Sequence, residues 1–200
     1  MSKLEFINNY EAREDLKEMY GDNALMLYAL QLRFDIEDIA SIASESLTDG
    51  HNDKKCDLIF VDRELGIAVI AQAYNKSNAK PDDLAPSNKA SDLNTAAAWV
   101  FASDIDAIPE QIKESVIDLQ DAIKNGEVST VYFWYVHNMI EEKNPVVKEE
   151  IDTLQLAIQK LVDSVYPDNI IKIIALEVGL KTINKWYVTS SRRINRLSES

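Results

Sequence analysis

The apolar positions of this chain change period several times, and each change marks an element. From Asn23 to Arg33 the residues Leu25, Leu27, Tyr28, Leu30 and Leu32 form a broad apolar surface at helical spacing, with Asp22 placed as an N-cap. Asp35 is placed to cap a second, short helix carrying Ile36, Ile39, Ala40, Ile42 and Ala43. The polar cluster Thr48-Asp49-Gly50-His51-Asn52-Asp53 then breaks the helical period. Two runs of strand character follow, Cys56 to Val61 and Ile67 to Tyr74, joined by Arg63-Glu64-Leu65-Gly66. Residues 75–88, which include Pro81 and Pro86, read as a loop.

Helical periodicity returns from Lys89 to Ala102 and from Pro109 to Lys124. In the second of these, Ile112, Val116, Leu119 and Ile123 keep core spacing and Asn125-Gly126 stops the helix. Val128 to Val136 is apolar or aromatic on both faces, which predicts a buried central strand. Val147 to Val165 predicts a long helix with Ile151, Leu154, Ile158, Leu161 and Val165 inward, Ile170 to Val178 a further strand, and Thr182 to Val188 a short final element. The order helices, β, β, α, α, β, α, β predicts an α/β fold, a mixed β-sheet flanked by helices. The expected organisation is an N-terminal helical segment over residues 1–47 packing on an α/β domain over residues 48–190. A flexible basic tail over residues 191–200 follows, carrying Arg192, Arg193 and Arg196.

The two early strands can be set against each other. With Arg63 to Gly66 as a hairpin loop, Asp62 faces Ile67, Val61 faces Ala68, Ile59 faces Ile70 and Asp57 faces Gln72. Opposed residues share a sheet face with Cβ atoms about 5 Å apart, so Asp57 and Gln72 converge at the open end of the hairpin. A one-residue slip would separate them. Two hard oxygen donors at that separation suit a divalent cation such as Mg²⁺, with Asp49 or Asp53 and water completing the shell. The plainer alternative is that Asp57 ends a strand, Gln72 satisfies a backbone group and the Asp-rich turn is solvated.

Composition constrains this picture. The net charge is −13, with 34 acidic against 21 basic residues, which argues against broad non-specific affinity for nucleic acid. A metal-dependent nuclease stays open, since divalent ions offset carboxylate repulsion, but its grip on a polymer would come from a local patch, another domain or a partner. The single cysteine, Cys56, allows no internal disulfide and suits a reducing, cytoplasmic setting. Beside Asp57 it is expected to point to the opposite sheet face and into the core. No apolar run reaches the length of a membrane span and no leader is visible, so a membrane partner is not expected.

The segments Glu45 to Asp53, Cys56 to Asp62 and Ile70-Ala71-Gln72-Ala73-Tyr74 resemble the N-terminal domain of abortive phage infection (AIPR) proteins, which is similar to the PD-(D/E)XK nuclease superfamily. The resemblance is strongest over residues 45–75. It implies a restriction-endonuclease-like core with N-terminal helices, Mg²⁺- or Mn²⁺-dependent hydrolysis of nucleic-acid phosphodiesters, and a role in phage defence. It implies Asp57 as the main metal ligand, Gln72 as the second and Glu45 as an accessory acid. One position departs from the pattern: where the superfamily carries lysine, two residues after Gln72, this chain has Tyr74, which supplies no fixed cation.

Three lysines are candidates to replace it. Lys55 would face Tyr74 in the hairpin register, Lys89 opens the next helix, and Lys76 follows the strand. His51, in the Asp-rich turn, is a candidate phosphate contact or base, or a solvated turn residue. The two expected functions are therefore a metal-dependent nuclease domain and, if the missing lysine has disabled it, a non-catalytic binding or oligomerisation module. Partners open to the chain are nucleic acid, a second copy of itself, or further domains of a longer protein.

Overall fold

A computed structural model describes residues 4–48 and 56–198, with side chains as far as Arg193. Strands β1 (Leu58–Asp62), β2 (Ile67–Tyr74), β3 (Thr130–His137) and β4 (Lys172–Val178) lie in that spatial order in one sheet. β1 runs antiparallel to β2, while β2, β3 and β4 are mutually parallel. Connection length explains the difference, because a four-residue turn can only return a strand antiparallel and a parallel neighbour needs a crossover. Helices α5 (Ser87–Phe101) and α6 (Glu110–Lys124) make the crossover from β2 to β3, and α7 (Pro145–Val165) makes the one from β3 to β4.

The crossover helices cover one sheet face, where Leu93, Ile112 and Leu154 pack with Ile59, Ile70 and Phe133. The other face carries α1 (Ile7–Glu11), α2 (Glu14–Tyr20), α3 (Ala24–Phe34), α4 (Ile39–Ser46) and α8 (Leu180–Ser198). There Leu16, Leu27, Ile39 and Ile183 meet Phe60, Val69 and Trp134. With helices on both sides, β3 is buried at alternate positions on both faces, as its unbroken apolar run requires. The fold is thus an α/β mixed sheet flanked by helices. No helix among the described residues is long and apolar enough to cross a membrane.

Several local expectations change. Asp22 does not cap α3; it sits in a 3₁₀ turn, Gly21–Asn23, that leads into the helix. Asp35 ends α3 in the left-handed conformation, φ 52°, and Asp38 opens α4 instead by accepting the Ser41 N–H at 3.0 Å. A short acidic residue suits either role, so its sequence position alone does not decide between them. On α7, Val165 is exposed and Leu161 only half-buried, while Val162, four residues beyond Ile158, continues the buried stripe.

The largest change concerns the C-terminus. In place of a short element and a flexible tail, α8 runs unbroken from Leu180 to Ser198 and includes Arg192, Arg193 and Arg196. Its cap comes from far away in sequence. The buried Glu141 carboxylate accepts the Gly179 and Thr182 N–H groups on Oε1, at 2.9 and 2.6 Å, and the Lys181 N–H on Oε2 at 2.9 Å. Gly179 is required for this approach, because a Cβ there would lie 2.5 Å from the Met139 carbonyl oxygen and 2.8 Å from Glu141. Gly179→Ala is therefore expected to destabilise the fold by about 1–3 kcal/mol, as overpacking does, read as a lower urea midpoint.

Burial also sets an alkaline limit. Desolvation pushes the Tyr10 phenol up to about 12 and moves Tyr28, Tyr135 and Tyr166 upward as well. A folded-state value above the unfolded one means that stability is intact below the ordinary tyrosine value, near 10, and is lost as pH rises through the folded values. The thermal midpoint is expected to be flat across mildly alkaline pH and to fall from about pH 10 to 12. A profile that stays flat throughout would contradict the burial of these phenols.

Candidate functional site

The β1–β2 register is the one the four-residue loop predicts, with Val61 opposite Ala68 and Ile59 opposite Ile70. Gly66 closes the turn at φ 67°, and the Asp62 carboxylate accepts the Leu65 N–H at 2.9 Å. One pair beyond the end of β1, Asp57 meets Gln72: the Gln72 Nε2 donates to Asp57 Oδ2 at 3.0 Å. The same carboxylate oxygen accepts the Ala73 N–H at 2.7 Å. The Asp57 backbone is held on both sides, donating to Ala71 O at 2.9 Å and accepting from Thr48 N at 3.1 Å. The acid is therefore positioned by backbone bonded on both sides.

Gln72 is buried and its Oε1 has no hydrogen-bond partner among the described residues. A buried carbonyl oxygen without a donor is costly, so its presence calls for a ligand or an ordered water. Rotating the amide exchanges Oε1 and Nε2 without altering its shape, but Oε1 can face the Asp57 carboxylate only with a cation between the two oxygens.

The pair belongs to a longer row. Gln72 on β2 lies opposite Tyr135 on β3, and Tyr135 lies opposite Glu177 on β4. Asp57, Gln72, Tyr135 and Glu177 thus form a polar row that ends the core. The apolar row beside it, Ile70, Phe133 and Ala175, is fully within that core. The Tyr135 hydroxyl donates to Pro86 O at 3.0 Å, which fastens the start of α5 over the row. Burial first, then the nearby Glu177, Tyr74 and Asp92, push this phenol upward, so it remains a donor.

His137 ends β3 with no solvent exposure. Its Nδ1 accepts the Met139 N–H at 3.2 Å, which leaves the proton on Nε2 to donate to Glu177 Oε1 at 3.0 Å. Glu177 Oε2 accepts the Glu142 N–H at 3.3 Å. Both ring nitrogens and both carboxylate oxygens are thus engaged in ordering the loop after β3.

The other predicted site residues divide clearly. Tyr74 lies on the same face as Gln72, opposite His137, and packs against the helical core layer, so the lysine position is filled by an aromatic packing residue. Lys89 lies in the first turn of α5, three residues from Pro86, with its Nζ 3.8 Å from Asp92. Lys76 is engaged by Asp83 at 2.7 Å. Glu45 does not join the pair: exposed on α4, it lines a separate cleft with Ile59, Val61, Glu114 and Asp118. Asp49, His51, Asp53 and Lys55 lie outside the described residues.

Cys56 is buried, but in the same core layer as Ile59 rather than on the opposite face. The chain bends at Asp57, which breaks the strand alternation on which that expectation rested. Among the described residues, no three His, Cys, Asp or Glu side chains converge as a metal centre.

Tyr135, Glu177 and Glu141 are the residues that sequence reasoning missed. A carboxylate between Leu176 and Val178 in an apolar strand was the available signal, since such a group is rarely buried unpaired. Comparison of the chain with protein-family models, with curated proteins and with solved structures finds no match, so the functional reading rests on this geometry and on the motif at residues 45–75.

Proposed function

We propose that this chain is a PD-(D/E)XK-like nuclease domain of a cytoplasmic phage-defence protein, acting on nucleic-acid phosphodiesters with Mg²⁺ or Mn²⁺. The supporting observation is the Asp57–Gln72 pair, with its backbone-held carboxylate and the buried Gln72 Oε1, which has no partner among the described residues. The donor set fits a hard cation: a carboxylate and an amide oxygen on adjacent strands would hold it, with Asp49 as a further ligand. A bound cation would supply a nucleophilic hydroxide near neutral pH and charge stabilisation at the phosphate. The phage-defence context rests on the resemblance alone.

The chain's own residues have distinct tasks in this reading. Asp57 presents its carboxylate at a position set by the Ala73 N–H. Gln72 turns its oxygen toward the same point. The Tyr135–Pro86 bond anchors the start of α5, whose first turn carries Lys89. From there the ammonium would orient water and offset charge, the task Tyr74 cannot perform.

Two observations favour a second reading, a binding or oligomerisation module that keeps the fold without catalysis. Tyr74 is packed into the core layer, and Lys76 is already paired. Incubation with plasmid and single-stranded substrates in Mg²⁺ or Mn²⁺, with and without EDTA, separates the two. Cleavage that needs the ion and is lost in Asp57→Ala supports the nuclease. Ion-dependent cleavage that is equal in both proteins rules out this site, and no cleavage at all favours the module.

A further inference from the structure

Helix α8 holds five of the chain's 21 basic residues, Lys181, Lys185, Arg192, Arg193 and Arg196, and none of its 34 acidic ones. Lys181, Lys185, Arg192 and Arg196 fall at helix positions that an α-helical turn gathers within an arc of about 60°. Lys181, Lys185 and Arg192 are exposed, and no carboxylate pairs with any of the three among the described residues. Arg193 stands apart, because Asp35 holds it at 2.6 Å. On a chain of net charge −13 this stripe is an isolated positive feature.

An aromatic platform adjoins it. Trp186, next to Lys185, is half-buried, and the Arg33 guanidinium at the end of α3 lies 6.0 Å from its ring centre. The same guanidinium is 5.1 Å from the Phe34 ring and 6.0 Å from that of Tyr132. Beneath them, Trp134 stacks on Phe34 at 5.8 Å with the rings 6° from parallel, and meets Trp186 at 5.1 Å. Arg33 has no carboxylate partner among the described residues, so its charge is balanced only by ring faces.

We infer that this face of α8, with the end of α3, binds single-stranded nucleic acid. The stripe would follow successive phosphates, and Arg33 with Trp186 would offer planar surfaces for bases. Stacking of this kind needs unpaired bases, whose faces a duplex conceals, so a single strand is the better ligand. The choice of nucleic acid over other polyanions rests on the nuclease reading. The surface lies on the sheet face opposite Asp57 and Gln72, so it holds the polymer and takes no part in bond cleavage.

The test uses the whole chain in EDTA with a fluorescent oligothymidylate, followed by anisotropy across a salt series. Binding is expected to weaken with a log–log salt slope of about two to three, the value for three or four phosphate contacts on a single strand. Lys181→Ser/Lys185→Ser/Arg192→Ser should weaken it at least tenfold, with far-UV circular dichroism unchanged in this variant of three exposed residues, and the half-buried Arg33→Ser several-fold. Asp57→Ala should bind as the wild type does; a wild-type chain that binds the oligonucleotide but does not cleave would count against the catalytic site and not against this surface. The inference is overturned if the triple variant binds equally well or if duplex binds more tightly than single strand. Association with phosphatidylserine vesicles in place of the oligonucleotide would overturn it too.

Discussion

Asp57→Asn is expected to lower Mg²⁺-dependent cleavage at least ~100-fold while leaving the thermal midpoint almost unchanged. The two consequences separate because the side chain has two tasks. Its charge is what a cation requires, and removing a ligand that supplies several kcal/mol of transition-state stabilisation costs two decades of rate or more. Its hydrogen bonds are structural, since Oδ2 accepts from Ala73 N and from Gln72 Nε2. Asparagine keeps an oxygen for the Ala73 N–H but loses the charge and turns the other oxygen into an N–H donor that cannot bind a cation. Asp57→Ala removes both, leaving a part-buried N–H and an amide without an acceptor, so it should also cost about 1–2 kcal/mol of stability. Paired cleavage and thermal-unfolding measurements on both variants separate the roles, and an Asn variant that cleaves like the wild type would rule out the metal-ligand role.

Glu141→Ala should destabilise the fold by about 3 kcal/mol. Three backbone N–H groups at the start of α8 converge on this carboxylate, and their helix begins with no acidic residue of its own. Hydrogen bonds to a charged acceptor are each stronger than neutral ones, and an anion at a helix N-terminus also meets the positive end of the helix dipole. The three are not additive, which keeps the expected loss below their simple sum. Glu141→Gln retains one acceptor oxygen and should lose roughly half as much. Because Ile183 and Trp186 pack only while α8 stays docked, the loss should appear as a lower urea midpoint with an early change in tryptophan emission. Equal midpoints for wild type and Glu141→Ala would contradict the capping role.

The contrast between the hairpin and α8 shows which information is local. Gly66 and a four-residue loop determine the β1–β2 register, so the meeting of Asp57 and Gln72 was legible from a count of residues. The parallel register of β3 against β4 is set by packing of a whole crossover helix, and nothing near Tyr135 in the chain announces Glu177 as its partner. Residues 182–188, Thr-Ile-Asn-Lys-Trp-Tyr-Val, are rich in β-branched and aromatic types and suggest only a short element. The cap that makes them helical, Glu141, lies some forty residues earlier, and the polar half from Thr189 onward lacks the apolar period by which helices are recognised. Asp35 was misread for the opposite reason: its residue type was informative, but equally compatible with beginning and ending a helix.

A manganese titration tests the central claim most directly, since free Mn²⁺ is counted by its electron paramagnetic resonance signal without any substrate. The account predicts saturable binding by the wild-type chain, weakened in Gln72→Leu and lost in Asp57→Asn. Binding of equal affinity in the wild type and Asp57→Asn, or none in the wild type at millimolar ion, would contradict it.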